Sequence, residues 1–164
     1  MRSRRAHASI RDMPRLLVAH HTPSPATQEM LEAVLNGARH DAIEGVEVIV
    51  RPALTCSEVE VLEADGYLLG TPANIGYMSG ALKHLFDRIY YPCLDATEGR
   101  PYGLFVHGNQ DTGGAVKAVE QIAGALKWRA AAAPVTVMGA PERADLDACT
   151  ELGGTVAAIL AEDL

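Results

Sequence analysis

Short apolar runs alternate along the chain with segments of helical period. Leu16–Ala19 (LLVA) is unbroken by polar residues, as suits a strand covered on both faces. Val46–Val50 is a second run, rich in β-branched residues, and Gly66–Gly70, Gly103–Val106 and Pro134–Met138 supply three more. Between them, Ser79–Tyr90 sets Leu82, Leu85, Phe86, Ile89 and Tyr90 on one helical face. Gly114–Trp128 aligns Val116, Val119, Ile122, Ala123 and Leu126, and Asp145–Ala161 aligns Leu146, Cys149, Val156, Ile159 and Leu160. Thr27–Arg39 and a short piece at Ser57–Glu63 complete the set. Five strands and five helices in alternation predict a three-layer α/β domain, a doubly wound five-stranded parallel sheet with helices on both faces. Such sheets bind ligands beyond the carboxyl ends of their strands, so function should lie in the loops after the first, third and fourth.

Bulk properties narrow this picture without changing it. At 164 residues the chain fits one domain, and no apolar run approaches a membrane span. Three cysteines, Cys56, Cys93 and Cys149, are odd in number and lack a C-x-x-C pair, which argues against a disulfide framework or zinc finger and for the reducing cytoplasm. Residues 1–13 carry four arginines and one aspartate, which leaves −10 of the net −7 for residues 14–164. That acidic body should repel nucleic acid. Residues 1–13 are expected to be a disordered tail, with a mis-assigned start at Met13 or organelle targeting as the other readings, and residues 14–164 the domain.

The first loop runs from His20 to Gln28 into a helix. Ser24 is a good N-cap, and Pro25 then takes the first helical position, where its missing N–H costs nothing. Free amides and the helix dipole favour an anion there. Thr22, Ser24 and Thr27 add three hydroxyls at spacings that let them converge on one phosphate. The same residues also read as a capped helix start with no ligand. Neither the dinucleotide fingerprint G-x-G-x-x-G nor the phosphate loop G-x-x-x-x-G-K-[ST] is present.

The third loop, Gly70 to Asp87, makes an uncharged turn that offers backbone groups beside Ile75, Tyr77 and Met78. A flat heterocycle with a polar edge asks for that combination. Its pattern, G-T-P-x-x-x-G-x-M-S-G-x-L-K-x-L-F-D, resembles the flavin loop of the flavodoxin-like NADPH-dependent FMN reductases and NAD(P)H:quinone oxidoreductases. Thr22 to Thr27 is similar to the flavodoxin phosphate loop. The resemblance implies a flavodoxin-like fold of strand order 2-1-3-4-5 with FMN at the strand ends. It implies that Thr22, Ser24 and Thr27, with His21, Ala26 and Gln28 beside them, hold the phosphate. Thr71, Pro72, Ala73, Asn74, Ile75, Gly76 and Tyr77 would line the ring, and His107, Gly108, Asn109 and Gly113 would close its other side. The chain departs from the pattern at Thr112, where the quinone reductases often carry a histidine, and at Pro23 and Pro25, which replace two glycines and remove two N–H donors.

The implied reaction passes electrons from NAD(P)H through FMN to a quinone or similar small acceptor, with His107 the one candidate proton donor and no catalytic carboxylate pair. Related enzymes often pair to complete their flavin pockets, so a homo-oligomer is implied too. A flavodoxin-type carrier without its own substrate is the alternative. The scarcity of acidic residues in loops one, three and four favours the enzyme. A metal-dependent hydrolase using His20, His21 and His107 is a remote third reading, since no H-E-x-x-H spacing supports it and no metal is expected.

Overall fold

A computed structural model of the chain describes residues 12–162. In chain order the elements are β1 (Arg15–His20), α1 (Pro25–Ala38), β2 (Glu47–Pro52), α2 (Glu58–Glu63), β3 (Gly66–Asn74), β4 (Tyr77–Met78), α3 (Gly80–Cys93), β5 (Pro101–Gly108), α4 (Gly113–Ala125), β6 (Arg129–Ala130), β7 (Val135–Met138) and α5 (Arg143–Glu162). Apart from Asp12 and Met13, the segment expected to be a tail lies outside the described residues.

Period-two alternation splits the strands between two cores. Leu16, Val18, Leu68, Phe105 and Val137 join Met30 and Val34 of α1 and Val156 and Leu160 of α5. Leu17, Leu69, Leu104 and Val106 turn the other way, onto Val61 of α2, Leu82, Leu85 and Phe86 of α3 and Val119 of α4. The LLVA run is therefore apolar throughout because both its faces are covered. The strands run β2-β1-β3-β5 in parallel, with β6 and β7 both beside β5. With β6 and β7 taken as one interrupted strand and the β4 hairpin set aside, this is the expected order of five.

The departures from the sequence reading have local causes. The fifth strand breaks because β6 pairs with Pro101 and Tyr102 and β7 with Phe105 to Gly108, while Pro134 has no N–H to bridge the gap. The third helix runs past Tyr90, through Pro92 to Cys93, whose side chain is fully buried. The fourth stops at Ala125, short of Trp128, because Lys127 turns at φ 61° and sends Trp128 back into the core. Its fully buried face is Ala115, Ala118, Val119 and Ala123, with Val116 and Ile122 on the flank. In α5 the buried stripe gains Leu152, Gly153 and Ala157, and Ile159 lies beside it. Among the described residues no helix is long and apolar enough to cross a membrane.

Two glycines let α5 lie directly on α1. A Cβ at Gly37 would overlap the Thr150 carbonyl oxygen, and one at Gly153 would overlap the Val34 carbonyl oxygen. Gly124, by contrast, sits in α4 with open space around it. Gly153→Ala should therefore destabilise the fold by about 3 kcal/mol through overpacking against backbone. Gly124→Ala should stabilise it by about 0.5–1 kcal/mol through lower unfolded-state entropy. Denaturant midpoints of the two variants check this pair, and equal shifts would contradict it.

Candidate functional site

The carboxyl ends of β1, β3, β5 and β7 open into a cleft of about 540 Å³. Four loops wall it: Pro23 to Ala26 with Glu29 of α1, Pro72 to Asn74 at the end of β3, His107 to Asn109 at the end of β5, and Gly139 to Pro141 after β7. Glu29 is the one charged side chain in this lining. A mostly neutral concavity of this size, with a few polar groups, is the usual form of a small-molecule site.

The first wall is built by a capping box. Ser24 holds an extended backbone, its Oγ accepts the Thr27 N–H at 3.2 Å, and the Thr27 hydroxyl oxygen accepts the Ser24 N–H at 3.0 Å. The Thr27 hydroxyl in turn donates to the Ser24 carbonyl at 3.0 Å, and Pro25 fills the first helical position. Thr22 Oγ1 lies 3.0 Å from His20 Nδ1. Burial, and next the neighbouring His21, hold the His20 imidazole below its ordinary pKa, so this ring is neutral at pH 7. His21 donates its backbone N–H to Gly70, while its Nδ1 is buried without a hydrogen-bond partner.

The second wall is the outer arm of a hairpin. β3 continues to Asn74 and turns through Ile75 and Gly76, both at positive φ (50° and 72°), into β4. A two-residue turn with both φ values positive matches strand twist, but a β-branched residue there costs about 1–2 kcal/mol. Thr71 secures the base: its hydroxyl donates to the Pro72 carbonyl at 2.8 Å and accepts the Ser79 N–H at 3.0 Å. The tip rests on α4, where a Cβ at Gly114 would overlap the Gly76 carbonyl oxygen.

The third and fourth walls are tied together. His107 is only 7% exposed, and its Nε2 lies 2.8 Å from the Gly139 carbonyl oxygen. A carbonyl can only accept, so Nε2 carries the proton and the lone pair of a neutral ring sits on Nδ1. The Gly139 N–H donates to the Gly108 carbonyl at 3.1 Å, a second tie across the same gap. At Gly108 a Cβ would lie 2.7 Å from the Asp111 carbonyl oxygen, and the Asp111 carboxylate accepts the Gly113 N–H at 2.9 Å.

Of the residues singled out from sequence, Ser24, Ala26, Pro72, Ala73, Asn74, His107, Gly108 and Asn109 meet in the cleft lining. His21, Thr22, Thr27, Gln28, Thr71, Ile75, Gly76, Tyr77 and Gly113 stand behind or beside it. Thr27 and Thr71 are almost fully buried, and Ile75, Gly76 and Tyr77 form the exposed hairpin tip. Sequence reasoning missed Glu29 and the fifth loop, Gly139 to Pro141. The signal for that loop was its place after a predicted strand. Among the described residues no three His, Cys, Asp or Glu side chains cluster as a metal site, and His20, His21 and His107 do not meet. Burial pushes the thiols of Cys56, Cys93 and Cys149 up to about 11, which makes them inert as nucleophiles at neutral pH.

Known proteins share this architecture. Flavodoxin from Aquifex aeolicus (strain VF5) is 36% identical, in a match covering 47% of this chain and 40% of the relative. The NAD(P)H dehydrogenase (quinone) of Acidithiobacillus ferrooxidans is 30% identical, covering 46% of this chain and 47% of the relative. The chain thus spans less than half the length of the curated relatives it matches. An archaeal flavodoxin structure superposes with a TM-score of 0.76 at 19% identity, over 89% of this chain and 98% of that one, which establishes the flavodoxin-like fold. The family model described as NADPH-dependent FMN reductase matches residues 52–142, a span that runs from the end of β2 through the second, third and fourth walls of the cleft. On that match the chain belongs to the NADPH-dependent FMN reductase family.

Proposed function

We propose that the chain binds FMN in the cleft at the carboxyl end of the sheet and passes electrons from NAD(P)H through it to a quinone or similar small acceptor. The observation that carries this reading is the open, nearly uncharged cleft above β3 and β5, three of whose four walls lie within the family match. Its lining fits a flavin. Pro72, Ala73, Ala140 and Pro141 offer apolar surface to a flat ring, and Asn74 and Asn109 offer amide donors and acceptors to a polar edge. FMN, when bound, supplies the redox chemistry, and the protein sets its orientation and access.

The chain's own residues then act as a frame. His107 braces the fourth wall through Gly139 and leaves Nδ1 as an acceptor when neutral, or a second donor when protonated. It is the one titratable side chain besides Glu29 in the lining, and it is the candidate to hold or yield a proton near the ring. Thr71 and Ser79 hold the hairpin base, and Gly114 seats its tip. The scarcity of acidic side chains leaves a planar acceptor and a nicotinamide access to the same site. A single-electron carrier role is the outcome to set against it.

Two measurements check the reading. Protein loaded with FMN should oxidise NADH or NADPH in the presence of a quinone. Reduction by a partner reductase alone, with no response to either nicotinamide, would assign a carrier instead. Gly114→Ala should push the hairpin off α4 and weaken FMN binding by about tenfold or more, as small misplacements at a site do. Its thermal midpoint should fall less than that of Gly153→Ala, because the displaced hairpin tip is exposed. Unchanged FMN affinity would remove the hairpin from the site.

A further inference from the structure

We infer that the phosphate end of this cleft is already satisfied by its own hydrogen bonds, so that the chain binds flavins by the ring and scarcely distinguishes FMN from unphosphorylated riboflavin. The inference rests on the proposed flavin site and concerns what the first loop adds to it.

An anion at a helix start depends on uncommitted N–H and O–H donors. From Ser24 to Gln28 there are four backbone N–H groups, since Pro25 has none. The Ser24 amide is spent on the Thr27 hydroxyl, the Thr27 amide on Ser24 Oγ, and the Gln28 amide on the Ser24 carbonyl. Among these described residues that leaves Ala26 alone. Upstream, Pro23 has no N–H and the His21 amide is committed to Gly70, which leaves Thr22 as the one other free amide of the loop.

The hydroxyls are no freer. Thr27 donates to the Ser24 carbonyl and is buried, Ser24 Oγ lies 2.9 Å from Thr27 Oγ1, and Thr22 Oγ1 is paired with His20. To grip a phosphate the loop would have to break its own capping box, which holds α1 in place. The electrostatics point the same way. No lysine or arginine lines the cleft among the described residues, while the Glu29 carboxylate does, one turn into α1. A phosphate dianion there meets one fixed negative charge and two uncommitted amides, those of Ala26 and Thr22, with no cation beside them. The isoalloxazine ring, common to both flavins, meets the neutral second, third and fourth walls unchanged.

The test is a pair of titrations of flavin-free protein, one with FMN and one with riboflavin, each followed by quenching of flavin fluorescence. The dissociation constants should agree within about tenfold, that is within about 1.4 kcal/mol. Glu29→Gln, an exposed substitution, should tighten FMN by about threefold, the size of one screened surface charge, and leave riboflavin unchanged. FMN binding more than about tenfold tighter than riboflavin would overturn the inference and leave the flavin site standing. A Glu29→Gln change that shifts both flavins equally would overturn it as well. If neither flavin binds, the proposed site itself fails, and the inference with it.

Discussion

The site depends on backbone meeting backbone at glycine. Gly37 and Gly153 bring α5 onto α1 at a distance no side chain would permit, and both helices begin at the carboxyl end of the sheet. The loops that lead into them, 23–26 and 139–141, are therefore held at a fixed separation, and they form two walls of the cleft. On the opposite face Gly114 does the same for the hairpin, whose Gly76 carbonyl rests against it. Interiors this close-packed transmit displacement rather than absorb it, so the width of the cleft is set by helix contacts well below it.

The two ends of the sheet are built differently. At the amino end Arg100 donates to the carbonyls of Val61, Leu62 and Ala64 and so closes the C-terminus of α2. Trp128 stacks on Tyr67 at 4.1 Å and donates Nε1–H to Thr97 at 2.7 Å. Polar groups there are consumed in holding the fold. At the carboxyl end the lining is mostly prolines, alanines, glycines and amides, joined by Ser24 and Glu29, with His107 as a brace. The family match falls on residues 52–142, which contain three of the four walls, and the first wall lies outside it. That division follows the chemistry: the matched part supplies the neutral walls proposed to hold a ring, while the first loop caps a helix.

Much of this was legible in the sequence, for local reasons. Apolar runs covered on both faces marked the strands, their order came with the family resemblance, and Ser24-Pro25 announced the start of α1, which the structure places at Pro25. The uncharged Gly70–Ser79 segment read as a turn, and the structure folds it into the β3–β4 hairpin. What stayed hidden depends on distant partners. The commitment of the first loop's amides to its own hydroxyls appears only when Thr27 is seen to answer Ser24 in both directions. The fifth loop enters the cleft through backbone and small side chains that carry no motif, and Glu29 lines it only because α1 is turned that way. The end of α4 was misplaced because Trp128 continues the apolar period although Lys127 has already left the helix.

The proposed place of the flavin is over the carboxyl ends of β3 and β5, between the hairpin and the 139–141 loop. Backbone amide chemical shifts of ¹⁵N-labelled protein, recorded with and without FMN, test it most directly. The account predicts shifts at Ala73, Asn74, Asn109, Gly139 and Ala140, with Glu63, Asp65 and Arg100 at the amino end unmoved. Shifts concentrated at the amino end, or none at the four walls with flavin present, would contradict it.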